Sequence, residues 1–165
     1  MKINWNGKIA IVTGASGGIG AAIAEKLASQ GLVVILVARR LNKLEELAQK
    51  INKAGGIAYP YQADLTSSTQ RIGLVDQICR KFGTPSILIN NAGLGWYGYF
   101  YQMPWPVAKE LISLNIESTT HLTSLLISKM QTLDAARIIN IRSIAGKLPE
   151  QGIAVYSASK AYLDS

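Results

Sequence analysis

The sequence is short of cysteine, histidine and charge, and each shortage excludes something. Among its 165 residues Cys79 is the sole cysteine, so no intrachain disulfide and no cysteine-based metal cluster can form. Cys79 itself lies in an apolar helical pattern and reads as a small buried hydrophobe. The single histidine, His121, excludes a multi-histidine metal site, and no metal is expected. The longest clean apolar run, Leu32 to Ala38, falls far short of the roughly 20 residues a membrane-spanning helix needs. Charged residues make up 16% and hydrophobic ones 48%, a globular composition that excludes a disordered chain.

The charge that is present leans positive. Lys and Arg number 17 against 10 Asp and Glu, a net +7. The excess is scattered, with only Arg39-Arg40 and Arg80-Lys81 adjacent, and no run resembles the basic arm of a nucleic-acid binder. Neither a nucleic-acid nor a membrane partner is expected, whereas a local arginine pair suits an anionic small molecule. Lys2 and Lys8 precede an apolar stretch from Ile9 to Ala24 that mimics a secretory leader, but Thr13, Ser16 and four glycines interrupt it. A cytoplasmic protein is expected.

The pattern along the chain alternates strand and helix. Lys8 to Thr13 is a β-branched apolar run, followed by a glycine-rich turn and a helix with Ile19, Ile23 and Leu27 on one face. Leu32 to Ala38 is a second strand whose apolar residues do not alternate, so both sheet faces should be covered. Asn42 reads as an N-cap with Glu45 three residues on, and Leu44, Leu47, Ala48 and Ile51 form that helix's stripe. Ile57 to Gln62 is strand three. Ser68 is the expected cap of a third helix that turns Ile72, Val75, Ile78, Cys79 and Phe82 inward, and Gly83 and Pro85 end it. Ser86 to Asn90 is strand four. Pro104 and Pro106 open one long helix carrying Leu111, Leu122 and Leu126, Arg137 to Ile141 is strand five, and a last helix begins near Ala154 and still runs at Ser165. Five β-α units imply an α/β fold: a doubly wound, Rossmann-like parallel sheet in the order 3-2-1-4-5.

Three places along this pattern carry chemistry. Thr13 to Gly20 (TGASGGIG) sits between strand one and helix one, where glycines allow a tight turn and let backbone N–H groups approach a phosphate at a helix N-terminus. Strand two ends in Ala38-Arg39-Arg40 rather than in the carboxylate that would bind an unphosphorylated ribose. An arginine there can fork onto a 2′-phosphate, so NADP(H) is favoured and NAD(H) possible. Tyr156 and Lys160 stand one helical turn apart on one face. A free phenol is a weak proton donor or acceptor near neutrality, and a nearby ammonium favours the phenolate. Ser143 follows strand five at the carboxyl edge of the sheet, where its hydroxyl could meet a substrate oxygen.

These segments, together with Asp64 in ADLT, Asn90 to Gly93 (NNAG) and Asn115 in LNIES, resemble the short-chain dehydrogenase/reductase family in order and spacing across nearly the whole chain. The resemblance implies an oxidoreductase moving hydride between NADP(H) and a carbonyl or secondary alcohol. In it Tyr156 would be general acid or base, Lys160 would lower its pKa and bind the nicotinamide ribose, and Ser143 would polarise the carbonyl. Asn115 would hold a water linking Lys160 to solvent. Gly14, Ser16, Gly18, Ile19 and Gly20 would bind the cofactor with Arg39 and Arg40, Asp64 and Leu65 would lie beside the adenine, and Asn91, Ala92 and Gly93 would line the cofactor. Asn90 reads as a residue tying adjacent strands.

Two departures stand out. Arg142 precedes Ser143 where the family more often has a small residue. Family members also continue through further strands, a helix and a substrate lid. The expectation is therefore a single incomplete dinucleotide-binding domain, residues 1–165, forming part of a longer homo-oligomeric protein. A natural truncation is the alternative, as is a non-catalytic NADP(H)-binding module or an inactive fragment. Between Gly93 and Pro106 fall six of the chain's twelve aromatic residues. That loop suits an apolar carbonyl substrate.

Overall fold

The computed structural model describes residues 3–164, so Lys2 and Ser165 lie outside the described part. The elements run β1 (Ile9–Thr13), α1 (Gly18–Ser29), β2 (Val33–Ala38), α2 (Leu41–Lys53), β3 (Ile57–Gln62), α3 (Ser68–Phe82), β4 (Ile87–Asn90), α4 (Trp105–Ile112), α5 (Ser118–Met130), β5 (Arg137–Asn140) and α6 (Ala154–Tyr162). The sheet order is β3-β2-β1-β4-β5 and every pairing is parallel. Both expectations, the α/β class and the strand order, hold.

Successive strand residues point to opposite faces, so an unbroken apolar strand feeds two cores. Ala10, Val12, Val34, Leu36 and Ile89 pack on one side with Ala24 of α1 and Leu44, Leu47 and Ile51 of α2. Ile11, Ile35, Val37 and Leu88 pack on the other with Leu74, Val75 and Ile78 of α3 and Leu122 and Leu126 of α5. Among the described residues β5 is bonded to β4 alone, and Ile139 on it is 44% exposed. The order of the strands reverses between β1 and β4, which opens a crevice at the carboxyl ends of these strands.

Several local expectations are corrected. α2 begins at Leu41, because the Arg40 carbonyl already accepts the Leu44 N–H; Arg40 occupies the N-cap and Asn42 lies inside the first turn. α3 is capped by Ser67, not Ser68: Ser67 is the extended residue, and its hydroxyl accepts the Gln70 N–H. Ile19 and Ile72 lie outside the cores, 63% and 45% exposed, since each falls on the flank of its helix's stripe. Cys79 is half-buried at the edge of the second core. The long fourth helix is two α-helices joined by a π turn over Ser113–Glu117. The last helix ends at Tyr162, where the Asp164 N–H closes a tight turn onto the Ala161 carbonyl and the Asp164 carboxylate pairs with Arg142.

Candidate functional site

The glycine turn leaves β1 through Gly14, whose φ of 66° is one that side-chain-bearing residues seldom adopt. A Cβ at Gly14 would stand 2.9 Å from the Ala92 Cα, so the turn and the loop after β4 are in contact. One buried hydroxyl fastens them: Thr13 donates to the Ile89 carbonyl (3.1 Å) and accepts the N–H groups of Asn91 (2.9 Å) and Ala92 (3.0 Å). The Asn91 amide donates to the Thr13 carbonyl at 2.9 Å. Asn90, one residue earlier, donates to Asn140 on β5 at 2.9 Å and ties the two strands as expected.

A cleft of about 530 Å³ lies over this junction. Its walls come from all four strand ends near it: Gly14 to Ile19 in part, Ala38 to Arg40, Ala63 to Thr66, and Asn91 to Leu94, with Leu114 from the π turn. Of the expected cofactor residues, Gly14, Ser16, Gly18, Ile19, Arg39, Arg40, Asp64, Leu65, Asn91, Ala92 and Gly93 all line it. Gly20 does not; it is buried, and a Cβ there would meet the Asn91 amide and the Gly14 carbonyl oxygen at 2.5 Å. Gly18, by contrast, has φ 56° and open space where its Cβ would stand. A bare, left-handed backbone facing a cleft at a helix start is the cradle a phosphate group requires.

The polar groups of the cleft are arranged in pairs. Arg40 donates to the Ser16 hydroxyl at 2.9 Å, and Arg39 to Glu110 of α4, also at 2.9 Å. Asp64 accepts the Thr66 N–H (3.0 Å) and hydroxyl (2.8 Å). The Thr66 N–H chiefly holds its carboxyl below the ordinary 3.8, against the opposing effect of burial, with the Thr66 hydroxyl and Arg39 adding to the lowering. Behind Leu65, the fully buried Arg71 donates to the Leu65 carbonyl at 2.6 Å and to His121 Nδ1 at 3.0 Å, and pairs with Glu117.

Tyr156, Lys160, Ser143 and Asn115 are not among the residues that line this cleft; Asn115 is bonded to Leu94, which is. Lys160 is 6% exposed and donates to the Ile141 carbonyl at 2.9 Å, two residues before Ser143. Its ammonium stands 5.8 Å from the Tyr156 ring centroid, and burial pushes its pKa below the ordinary 10.5. A Cβ on Gly93 would be 3.5 Å from that ammonium, and one on Gly95 would be 3.8 Å from the Tyr156 ring. The loop after β4 therefore touches the glycine turn at one end and the tyrosine–lysine pair at the other. Ser143 caps the short 3₁₀ turn Ile144–Gly146, its hydroxyl accepting the Ala145 N–H at 3.2 Å; Gly146 in that turn packs on the backbone of Lys160 and Ala161.

Asn115 is carried on the π turn, a distortion that tends to mark functional positions. Its Oδ1 accepts the Leu94 N–H at 2.8 Å; its amide donates to the Leu94 carbonyl and the Ser159 hydroxyl, both at 2.9 Å. One lone pair on Oδ1 is left over. Sequence reasoning missed Thr13, Leu94, Glu110 and Ser159 as parts of this network. Thr13 and Ser159 are members of the quoted motifs, but nothing local signals a clamp whose partners lie up to 79 residues away.

Comparison with known proteins agrees with this fold. The profile of the family described as short chain dehydrogenase matches residues 8–165. The chain is 36% identical over 159 residues to an uncharacterized oxidoreductase of Staphylococcus saprophyticus, covering 96% of this chain and 68% of that protein. It is 36% identical over 157 residues to the ketoacyl reductase HetN of Nostoc, covering 95% and 55%. Among solved structures, a metagenomic short-chain oxidoreductase in complex with NADP superposes with a TM-score of 0.94 at 38% identity, over 98% of this chain and 74% of that one. An NAD+-bound xylitol dehydrogenase superposes at 0.91 with 32% identity, over 98% and 62%. The chain spans about half to two thirds of the length of these curated relatives. No helix among the described residues is long and apolar enough to cross a membrane.

Proposed function

Because the chain belongs to the short-chain dehydrogenase family, we propose that it serves hydride exchange between a nicotinamide dinucleotide and a carbonyl or secondary alcohol. The cofactor, when bound, supplies or accepts the hydride. The bare backbone of Gly14 and Gly18 and the start of α1 would hold its pyrophosphate, and Asp64 and Leu65 its adenine. Arg40 with Ser16 suits a 2′-phosphate, which favours NADP(H) over NAD(H).

The reading rests chiefly on one observation: a buried ammonium, Lys160, lies over the Tyr156 ring and beside Gly93, at the end of the nucleotide cleft. Tyr156 would give its proton to a carbonyl oxygen in reduction and take one in oxidation. Lys160 would hold the phenol in place. Ser143 would donate to the same substrate oxygen. Asn115 would fasten Leu94 to α6 and keep one lone pair for a water near Lys160.

The substrate we propose is apolar. Tyr97, Tyr99, Phe100, Tyr101 and Trp105 are all at least 66% exposed, and Tyr99 stacks on Tyr101 with centroids 5.7 Å apart. Their loop is bonded through the Gly98 N–H to the Gly152 carbonyl (2.9 Å), just before the helix carrying Tyr156.

The test is NADPH oxidation against a panel of ketones and aldehydes by the full-length protein and its Tyr156→Phe variant. Loss of a proton donor costs on the order of 10²–10⁴ in rate. A variant that turned over at the parental rate would remove Tyr156 from the role given to it here.

A further inference from the structure

The two adjacent arginines at the end of β2 face different partners. Arg40 lies along the glycine turn, bonded to the Ser16 hydroxyl at 2.9 Å and its carbonyl at 3.4 Å. Arg39 reaches across to α4, where its guanidinium meets the Glu110 carboxylate at 2.9 Å. Leu114, one turn further along from Glu110, is a wall of the cleft, so the Arg39–Glu110 pair joins two of its sides. Arg39 is also close enough to Asp64 to help keep that carboxyl ionised. Both side chains of the pair are about half exposed, 55% and 42%, so water and salt reach it and the link is weak enough to open.

A guanidinium fork satisfies one carboxylate or one phosphate at a time. While Glu110 holds Arg39, Arg40 is the arginine at this end of the cleft without a carboxylate partner among the described residues. A carboxylate here also repels an incoming phosphate dianion directly. Neither effect touches a ligand that lacks the 2′-phosphate.

We propose that Glu110 is a cofactor-selectivity residue: it ties Arg39 to α4 and so limits the preference of the site for a 2′-phosphorylated dinucleotide. The inference rests on the nucleotide-binding reading above and adds to it a residue 71 positions from the arginine it controls. The two arginines then differ in role. Arg40 with Ser16 would hold the 2′-phosphate, and Arg39 would join it only when Glu110 releases it.

The experiment measures binding of two probes, adenosine 2′,5′-bisphosphate and AMP, by titration calorimetry at low salt on the full chain. The readout is the ratio of their affinities. Glu110→Gln should raise the ratio about fivefold, the scale of one exposed ion pair, with AMP affinity nearly unchanged. Most of that gain should vanish in Arg39→Gln/Glu110→Gln, and it should shrink as salt is added. Arg40→Gln should lower the ratio with Glu110 present or absent. An unmoved ratio in Glu110→Gln, or an equal change for both probes, overturns the proposal while leaving nucleotide binding intact. Failure of the unaltered chain to bind either probe overturns both readings. Thermal melts of each variant check that the change lies in recognition, since the half-exposed Glu110 ion pair contributes little to stability and its replacement should not affect folding.

Discussion

Replacing Gly20 by alanine sets helix propensity against a close backbone approach, and the structure decides which wins. Gly20 is the third residue of α1, so alanine would bring at most about 1 kcal/mol of propensity. The added Cβ would stand 2.5 Å from the Gly14 carbonyl oxygen and 2.5 Å from the Asn91 amide nitrogen. The first is backbone and cannot rotate away. Overpacking of this kind costs about 1–3 kcal/mol. Displacing Asn91 also weakens its 2.9 Å bond to the Thr13 carbonyl, about 1 kcal/mol more. The net expectation is a loss of about 1–3 kcal/mol. Gly73 is the matched control: it lies inside α3 with nothing within 4 Å of where a Cβ would stand, so Gly73→Ala should add up to about 1 kcal/mol. Urea unfolding of both variants reads the difference. If Gly20→Ala proved as stable as Gly73→Ala, the claim that the glycine turn is packed against the loop after β4 would be wrong.

Thr13→Val keeps the shape of the side chain and removes its hydroxyl. It strands the N–H groups of Asn91 and Ala92, and should cost about 2–4 kcal/mol in urea unfolding together with a loss of AMP binding. A loss under about 0.5 kcal/mol would mean that water replaces the hydroxyl. Lys160 carries a pH signature. Its folded pKa lies below its unfolded value, so the unfolded chain binds the extra proton between the two. Stability should then rise as pH climbs from the folded pKa towards 10.5. Thermal melts of Lys160→Met should lack that rise, and an identical profile in both proteins would show that the ammonium is not held away from water.

The fold is largely legible because its signals are local. Leu32 to Ala38 reads as a strand covered on both faces, and Val34 to Val37 are indeed fully buried. The glycine turn and the Tyr156–Lys160 spacing are equally local. The cap at Ser68 misses by one position because the capping serine differs from its serine neighbour only in backbone angle, and the cap at Asn42 misses by two because the N-cap of α2 is Arg40, without a capping side chain. Ile19 and Ile72 fit the helical period, but the period does not fix how wide the buried stripe is. The π turn is invisible because helical spacing is sound on both sides of it. Arg71 gives no sign of burial in sequence, since the Leu65 carbonyl, His121 and Glu117 that satisfy it come together only in the fold.

That π turn also takes up one residue more than an α-helical turn would in the middle of the chain. Each residue after it therefore faces where its predecessor would face in an unbroken helix, a difference of about 100°. Leu122 and Leu126 meet the second core in that phase. Deleting one residue between 113 and 117 would return the segment to plain α-helix and leave both leucines facing inward. The loss would fall instead on the widened turn that carries Asn115.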